Sequence, residues 1–292
     1  MNRLQKWVIT TCLFSSTVLS APLSISSWNI EWLSTNEAVN KMSELRTQDD
    51  FNQLNYHFKQ LNSDVLAFQE VDNIEAIKRV VGSDYRIVMS DRASNRYKAN
   101  QFSDVNQYTG FAVRQNIDVV NKPDLKLETR SGSKLRFASY IVAELHDKPV
   151  HLLSVHLKAG CSGAYKRNNN CERLKQQAKV LNDWIVEREK KQQSYAVLGD
   201  FNHNLSYRGD WLWSALSENN RAQLATRSTA ADCKVRSNSN KNRTHQFRSL
   251  IDHIIVSNDL STSWTKQYVF PSQDVLDYFL SDHCPVSTQL GR

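Results

Sequence analysis

Polar side chains capable of catalysis or metal binding stand within or at the ends of many apolar segments of this chain. They are Asn29 and Glu31 in SWNIEW, Glu70 in LAFQEVD, His156 in LSVHLKAG, Asp200 and Asn202 in VLGDFNH, Asp252 in SLIDHIIVS, and Asp282 and His283 in SDHCPV. A carboxylate in or beside a buried strand is costly unless it is paired, hydrogen-bonded or bound to a metal. Because such residues recur in one segment after another, we expect them to converge on a common site.

Each of these residues also has an ordinary structural explanation when it is taken alone. Glu70 can begin a loop, the stretch from Asp200 to Asn202 can form an Asx turn, and His156 can be a hydrogen-bonded histidine of the core. The recurrence of the pattern, and not any single residue, favours a shared site.

The residue types suit the hydrolysis of a phosphodiester. This reaction needs charge neutralisation on the phosphate, a positioned water and a proton for the leaving oxygen. Carboxylate and amide oxygens are the ligands that Mg²⁺ prefers, and the cation stabilises charge that develops on the phosphoryl oxygens. A histidine held by an aspartate has a fixed tautomer and a pKa raised toward neutrality, as proton transfer at pH 7 requires.

The elements that must position these residues follow from the hydrophobic pattern. Short apolar and β-branched runs predict strands, and they are Ile25–Trp32, Val65–Val71, Tyr85–Met89, Gly110–Val113, Ala138–Leu145, Val150–Leu157, Tyr195–Phe201 and Ile251–Val256. Apolar residues at spacings of three and four predict two helices between them, one through Phe51, Leu54, Phe58 and Leu61 and one through Leu174, Ala178, Leu181 and Ile185. Strands that alternate with helices indicate a layered α/β domain.

The composition is that of one large globular domain. The chain has 292 residues, of which 40% are hydrophobic and 23% charged, with 8 Gly and 5 Pro, and no repeat or Pro-rich linker divides it. These figures exclude disordered, collagen-like and disulfide-scaffold chains. No apolar run beyond the N-terminus approaches the roughly 20 residues that span a bilayer, so we expect no stable membrane insertion.

The chain is strongly basic, with a formal net charge of +7 and a pI near 9.1. Residues 234–248 contain five cations and no acid, and residues 161–179 contain five cations against Glu172 alone. Such stretches match phosphate backbones. A solvated basic surface without a partner is the alternative for either stretch.

The first twenty residues read as a signal peptide. Arg3 and Lys6 form a positive segment, Trp7–Leu19 is uncharged, and small residues precede a cleavage site after Ser20. The alternative is a buried N-terminal helix or an anchor. The prediction is therefore a signal peptide at 1–20 and one catalytic domain at 21–292, exported to the periplasm or secreted.

Four cysteines remain beyond residue 20, namely Cys161, Cys171, Cys233 and Cys284. An even number in an exported chain suggests two disulfides, although four cysteines allow three connectivities. The short polar loop between Cys161 and Cys171 favours that pair, which leaves Cys233 with Cys284. Free thiols remain open, and a metal site is disfavoured because no Cys-x-x-Cys pair is present.

The order of QEVD, GDFN and SDH along the chain resembles the endonuclease/exonuclease/phosphatase superfamily, which has the deoxyribonuclease-I-like fold. Within it, SWNIEWLS, TGFAVR, SVHLKAGC with a second cysteine downstream, and SDHCPV are similar to the exported bacterial branch. The resemblance covers nearly all of the chain after residue 20. It implies a four-layer αββα sandwich, in which two mixed β-sheets are flanked by helices and the active site lies at one edge.

The resemblance also implies roles for individual residues. Glu70 would be the principal ligand of Mg²⁺, or of Mn²⁺ or Ca²⁺, with Asn29 and Asp282 beside it. Asp200 and Asn202 would orient the nucleophilic water and the phosphate, and Asp252 would pair with a His283 that activates water. His156, with Asp91 as its carboxylate partner, would protonate the leaving oxygen or bind the phosphate. Arg136 would contact the phosphate. The sequence does not decide which histidine is the acid and which is the base.

The function predicted from these features is that of an exported, metal-dependent nuclease acting on DNA, with RNA left open. Arg236, Lys241 and Arg243 are the predicted contacts to the nucleic acid, and a monomer is expected. A sphingomyelinase-like or other phosphoester hydrolase of the same fold is the alternative, and it should present an exposed apolar element to membranes. The only candidates are DYFL at 277–280 and DWLW at 210–213. A binding or toxin subunit without catalysis is disfavoured because every matched catalytic position is retained.

Overall fold

Two six-stranded β-sheets form the centre of the structure. The structure is a computed structural model, and it describes residues 22–36, 45–130, 132–145, 148–237 and 239–292. The predicted signal peptide at 1–20 lies outside the described residues.

The first sheet is mixed, because one neighbouring pair of its strands is parallel and the others are antiparallel. In spatial order its strands are Ser261–Gln267 (β13), Val286–Gly291 (β14), Leu23–Leu33 (β1), Val65–Val71 (β2), Tyr108–Arg114 (β4) and Tyr85–Met89 (β3). The parallel pair is β1 with β2, so the carboxyl ends of these two central strands lie at the same edge.

The second sheet is also mixed. In spatial order its strands are Val119–Leu125 (β5), Ala138–Leu145 (β6), Lys148–His156 (β7), Ser194–Asp200 (β8), Asp252–Val256 (β12) and Gln223–Leu224 (β9). Its parallel pair is β7 with β8. A separate antiparallel pair, Lys234–Arg236 (β10) with Thr244–Gln246 (β11), lies in the basic stretch 234–248.

Helices cover the outer faces of both sheets. They are Gln48–Leu61 (α1), Ile74–Val81 (α2), Asn169–Lys190 (α3), Trp211–Leu216 (α4) and Ser272–Asp277 (α5). Apolar residues of α1, α2 and α5 share a cluster with the first sheet, and those of α3 and α4 share one with the second. Helix α1 begins with a capping box, in which Thr47 and Asp50 each accept a hydrogen bond from the other's backbone N–H.

The core lies in three layers because the side chains of a strand alternate between its two faces. In β2, Leu66 and Phe68 pack toward α1 and α2, whereas Val65 and Ala67 pack between the sheets. This alternation explains the continuous apolar runs, since the central strands are buried on both faces. The predicted αββα sandwich of two mixed sheets is confirmed.

Two disulfides link loops to this framework. Cys161 pairs with Cys171 at the start of α3, and Cys233, just before β10, pairs with Cys284, next to His283. Among the helices described, none has the length and apolar content needed to cross a bilayer.

Candidate active site

Three polar residues face one another across the central strands of the second sheet. The Cα of His156 in β7 is opposite that of Asp200 in β8, which is in turn opposite that of Asp252 in β12. Gly199 permits this close approach, because a Cβ there would lie 2.0 Å from the backbone oxygen of Val155. The strand ends therefore bring His156, Asp200 and Asp252 to one edge of the sandwich.

The backbones of β1 and β2 are irregular at the same edge. Glu31, Trp32 and Glu70 all have positive φ, at 41°, 50° and 58°, and the pairing of β1 with β2 is interrupted there. Positive φ is costly for residues other than glycine, and such irregularities are frequent beside active sites. They turn the acidic side chains of Glu31 and Glu70 out of the regular strand pattern.

Asn29 joins the two sheets at this edge. Its Nδ2 donates to Glu70 Oε1 at 3.2 Å and to Asp200 Oδ2 at 3.1 Å, while its Oδ1 accepts from the backbone N of Glu31. The amide of Asn29 thus holds Glu70 and Asp200 in place. Its oxygen keeps a second lone pair beyond the bond from Glu31, so its role as a metal ligand stays a prediction.

Three carboxylates, those of Glu31, Glu70 and Asp282, lie near one another beside Asn29. Glu31 Oε2 accepts from the backbone N of Asp282 at 2.8 Å. Burial, and next the charge of Asp282, raise the pKa of Glu31 to about 7, with Glu70 adding to the rise and Arg46 opposing it. Mutually repelling carboxylates with oxygen donors fit a hard divalent cation such as Mg²⁺.

The predicted metal ligands did not include Glu31. Glu31 stands two residues after Asn29 in SWNIEW, so the alternation of a strand would have placed both side chains on the same face. That spacing was the signal available in the sequence. The backbone irregularity that brings Glu31 to Asp282 was not visible there.

A second group of candidate ligands overlaps the catalytic residues. Ligand atoms of Asp200, Asp252 and His283 lie within 4.8 Å of one another. Within this group, His283 Nδ1 is hydrogen-bonded to Asp252 Oδ2 at 2.7 Å, so two of the three residues already pair with each other. Glu31, Glu70 and Asp282 offer only oxygen donors, the type that a hard cation prefers, but their ligand atoms are not gathered within the same 4.8 Å.

His283 is held by Asp252 and surrounded by acids. Its Nε2 lies 3.9 Å from both Asp200 Oδ2 and Asp282 Oδ1. Burial alone would lower the pKa of His283, but the charges of Asp252 and Asp200 and the Asp252 hydrogen bond raise it well above its ordinary value. The charges around His283 therefore favour its imidazolium form.

The pKa of His156 is shifted in the opposite direction, mainly by burial. Its Nε2 is 3.4 Å from Asp200 Oδ2 and 3.5 Å from Glu70 Oε1. Burial, followed by the charges of Arg136, His283 and Arg92, lowers its pKa well below the ordinary value, so the ring is neutral and these contacts are not ion pairs.

Asp91 does not pair with His156 as the sequence predicted. Asp91 begins a short 3₁₀ helix, and its Oδ2 accepts from the backbone N of Asp124, while the carboxylate of Asp124 accepts from the backbone N of Asp91. These reciprocal bonds tie the carboxylate of Asp91 to β5. His156 Nδ1 is buried and has no hydrogen-bond partner among the described residues.

Asp200 and Asn202 form a tight turn after β8. Asp200 Oδ1 accepts from the backbone N of Asn202 at 2.7 Å, and Asn202 Nδ2 donates to Asp200 Oδ2 and to the backbone oxygen of Leu157. Burial raises the pKa of Asp200 to about 7, whereas the charge of the nearby His283 lowers it.

The predicted phosphate-binding cations have different environments. Arg136 lies close enough to Glu70 and Asp200 for charge interaction and donates to the backbone oxygen of Leu157. Arg236 donates through Nε and Nη2 to the backbone oxygens of Val275, Leu276 and Tyr278, so part of its guanidinium is engaged within the protein, and its contact to nucleic acid stays a prediction. Lys241 and Arg243 are exposed.

Solved structures with the same fold are found among several phosphoesterases. An endonuclease/exonuclease/phosphatase from Bacteroides vulgatus matches with a TM-score of 0.66 and 14% identity, over 92% of this chain and 98% of that one. TDP2 from Caenorhabditis elegans matches with a TM-score of 0.64 and 17% identity, over 92% and 75% of the two chains. A mannosyl-6-phosphatase from Bacteroides thetaiotaomicron matches with a TM-score of 0.61 and 15% identity, over 92% and 100%.

No curated protein matches the chain. A family profile does match its sequence, and this match is more specific than the structural similarity. The profile of the endonuclease/exonuclease/phosphatase family matches residues 26–283, a span that includes every acidic and histidine side chain of the site described above. The chain therefore belongs to the endonuclease/exonuclease/phosphatase family.

Proposed function

We propose that this chain is an exported, divalent-metal-dependent nuclease that hydrolyses phosphodiester bonds of DNA, with RNA as a second polymer to be tested. Members of its family are hydrolases of phosphoester bonds. The observation that carries the proposal is the convergence of Glu70, Asp200 and the two oppositely shifted histidines at one edge of the sandwich.

Glu70, Glu31 and Asp282 are the residues that would hold the cation, and Mn²⁺ or Ca²⁺ also suits these oxygen donors. A bound divalent cation supplies positive charge that stabilises the charge developing on the phosphoryl oxygens. Asn29 keeps Glu70 in position through its amide.

The remaining residues handle the water and the proton. Asp252 fixes the tautomer of His283 and leaves its Nε2 directed between Asp200 and Asp282. The separations of 3.9 Å are too long for direct hydrogen bonds and suit a bridging water. His283 would exchange a proton with the nucleophilic water, and the neutral His156 would contact the phosphate or its leaving oxygen.

A lipid-hydrolase alternative lacks a docking element at the two places where the sequence allowed one. In DYFL, Leu280 is buried and the Phe279 ring lies under the guanidinium of Arg46. In DWLW, Leu212 is buried, and Trp211 and Trp213 pack against the core beside the second sheet. Neither segment offers the exposed apolar surface that membrane docking requires.

Export is a further part of the proposal. Residues 1–20 are the proposed signal peptide and residues 21–292 the catalytic domain. The pairs Cys161–Cys171 and Cys233–Cys284 support it, because disulfides persist in oxidising compartments. The mass of the exported protein should correspond to a chain that begins at Ala21, and retention of residues 1–20 would contradict this part.

The decisive experiment compares two substrates. Purified protein should nick supercoiled plasmid in the presence of Mg²⁺, lose that activity with EDTA, and leave sphingomyelin vesicles intact. His283→Ala, purified in parallel, controls for contaminating nucleases. Hydrolysis of sphingomyelin without plasmid nicking would overturn the proposal in favour of the lipid alternative.

A further inference from the structure

A cleft of about 450 Å³ opens beside the carboxylates of the active site. Its lining includes two aromatic side chains and four cationic ones, which are Trp32, Phe102, Arg130, Lys134, Arg136 and Arg173. The volume lies in the range of about 300–1,000 Å³ that is usual for sites binding small molecules or single building blocks of a polymer.

The chemistry of the lining suits an anion attached to a flat ring. None of the described residues that line the cleft is acidic. Arg130 is partly neutralised by Glu128, at 2.7 Å, and Arg173 interacts electrostatically with the same carboxylate, whereas Lys134 has no carboxylate partner among the contacts described. The Lys134 ammonium lies 4.9 Å from the centre of the Phe102 ring, which places a positive charge against an exposed aromatic surface. A cationic headgroup such as choline would be repelled here.

The cleft is continuous with the catalytic residues. The backbone N of Trp32 donates to Glu70 Oε2 at 3.3 Å, and Arg136 interacts electrostatically with both Glu70 and Asp200. A group bound between Trp32 and Phe102 would therefore be next to a phosphate held at Glu70. This position is that of the nucleotide adjoining the scissile bond.

The backbone of Phe102 is held by partly buried hydrogen bonds. Asn106 accepts from the backbone N of Phe102 and donates to its backbone oxygen, and the backbone N of Asn106 donates to Asp72 Oδ1 at 2.8 Å. Asp72 follows Glu70 by two residues and also accepts from the hydroxyl of Ser34. Phe102 is thereby connected to the strand that carries Glu70, and a preorganised site of this kind loses little entropy when it binds.

We propose that this cleft is a subsite for one unstacked nucleotide of the polymer, whose base stacks on Phe102 and Trp32 and whose phosphate is bound by Lys134 and Arg173. The inference rests on the proposed nuclease function and adds that the substrate is bound as a single strand at this position. Aromatic side chains beside cations are the means by which proteins bind single strands without reading their sequence.

The test combines a protein variant with a change in the substrate. Wild type and Phe102→Ala are compared on a single-stranded oligonucleotide with one cleavage site, in which each base near that site is removed in turn. Bis(p-nitrophenyl) phosphate serves as a second substrate that carries neither a base nor the neighbouring phosphate that Lys134 and Arg173 would bind. The ratio of kcat/KM on the oligonucleotide to that on the small diester should fall about tenfold in Phe102→Ala, as stacking contributions imply.

The position of the missing base identifies the subsite. In wild type, removal of the base at one position should lower kcat/KM as much as Phe102→Ala does. At that position, and at no other, removal of the base should not lower kcat/KM of Phe102→Ala any further. Trp264→Ala, which removes an exposed aromatic side chain of β13 outside the cleft, is the matched control. Lys134→Ala should weaken binding and reduce its salt dependence, whereas Lys148→Ala, at the far end of β7 from His156, should not.

The outcomes separate this inference from the proposed function. In one outcome, wild type cleaves the oligonucleotide, Phe102→Ala leaves the ratio of the two kcat/KM values unchanged, and Phe102→Ala does not alter the effect of any missing base. The subsite is then wrong and the nuclease assignment stands. If wild type hydrolyses the small diester but no polynucleotide, the nuclease assignment fails and this inference fails with it.

Discussion

Gln69 of β2 and Ser154 of β7 are joined by a hydrogen bond of 3.1 Å across the buried space between the two sheets. Ser154 also donates to the backbone oxygen of Phe68 at 3.0 Å, and both side chains are fully buried. Gln69 precedes Glu70, and Ser154 lies two residues before His156. This bridge therefore fixes the separation of two side chains that belong to different sheets and meet in the candidate site.

Replacing Ser154 with Ala should affect catalysis through this geometry. The change leaves one amide hydrogen of Gln69 without its partner and removes one hydrogen bond to the backbone oxygen of Phe68, at a cost of about 1–3 kcal/mol in the free energy of unfolding. We expect kcat to fall several-fold while KM and the Mg²⁺ dependence change little. Ser154→Thr, which retains the hydroxyl, should recover part of the rate. A kcat equal to wild type in Ser154→Ala would show that the bridge has no positioning role.

The pair formed by Asp252 and His283 should act as one unit. Asp252→Asn removes the charge that favours the imidazolium and weakens the control of its tautomer. The loss of turnover should approach that of His283→Ala, within the range of about 10²–10⁴-fold typical of acid–base catalysis. The double variant should be no slower than the slower single variant, since residues that act together are not additive. An unchanged rate in Asp252→Asn would contradict the pairing.

His203 predicts a pH dependence of stability. Its Nδ1 lies 2.7 Å from the backbone oxygen of Cys161 and its Nε2 lies 2.6 Å from Asp210 Oδ2, so both ring nitrogens face acceptors and the imidazolium fits. Burial lowers the pKa of His203, but these bonds outweigh it and the pKa is raised. A raised pKa gives stability that is complete below the unfolded-state pKa of about 6.5 and is lost as pH rises through the folded-state value.

The measurement is the difference in the free energy of unfolding between wild type and His203→Gln across pH. The difference should be largest below pH 6.5 and should shrink at alkaline pH. His245→Gln, at an exposed position, should show no such trend. A difference that is constant from acid to alkaline pH would show that His203 is not bound as the imidazolium.

The exposed cations of the basic stretch 234–248 should govern binding to long DNA. Neutralising Lys241 and Arg243 together should reduce the slope of log affinity against log salt by about 0.9 for each phosphate contact removed on duplex DNA. Lys148→Ala with Lys266→Ala, on exposed positions of β7 and β13, is the control pair. If the salt slope is unchanged in the first pair, this stretch does not contact the polymer.

Arg236 should behave differently from its neighbours. Because its guanidinium bonds three backbone oxygens near α5, Arg236→Ala should lower the free energy of unfolding by about 1–3 kcal/mol. Thermal unfolding of the single variants separates this role from that of Lys241 and Arg243. A Tm equal to wild type would indicate that these bonds contribute nothing.

The buried strands were predictable because their pattern is set by burial. Val65–Val71 and Ala138–Leu145 have the same limits in the sequence prediction and in the structure. The edge strand Tyr85–Met89 was also predicted with its limits, because its residues are largely apolar although only Tyr85 is buried. Both faces of the central strands are covered, so nearly every residue is apolar. Helices α1 and α3 were found by their spacing for the same reason, since each buries one face.

The edge strands β5 and β13 escaped prediction because their residues are exposed or polar, and the inner strand β14 escaped it because Ser287, Thr288 and Gln289 interrupt its apolar pattern. Strand β13 has the sequence STSWTKQ and is largely exposed, and β5 contains Pro123. Their pairing depends on backbone hydrogen bonds that the side chains do not reveal.

Most residues of the candidate site were likewise predictable from the sequence, whereas some of their contacts were not. The sequence indicated which polar residues interrupt buried strands, and the structure brings Glu70, Asp200, Asp252, His156 and His283 together. The partners of Asn29 and Asp91 depend on backbone irregularities and on a contact between β5 and a 3₁₀ helix, which no local pattern encodes.

The most direct test of the central claim is turnover as a function of Mg²⁺ concentration in wild type and Glu70→Gln. The substitution keeps the shape of the side chain and removes the charge that would hold the cation. Glu144→Gln, an exposed site on β6, serves as the control, and unfolding curves verify that all three proteins are folded. We predict that Glu70→Gln nearly abolishes plasmid nicking at millimolar Mg²⁺ while Glu144→Gln is unaffected. Turnover of Glu70→Gln equal to wild type at ordinary Mg²⁺ would contradict the account.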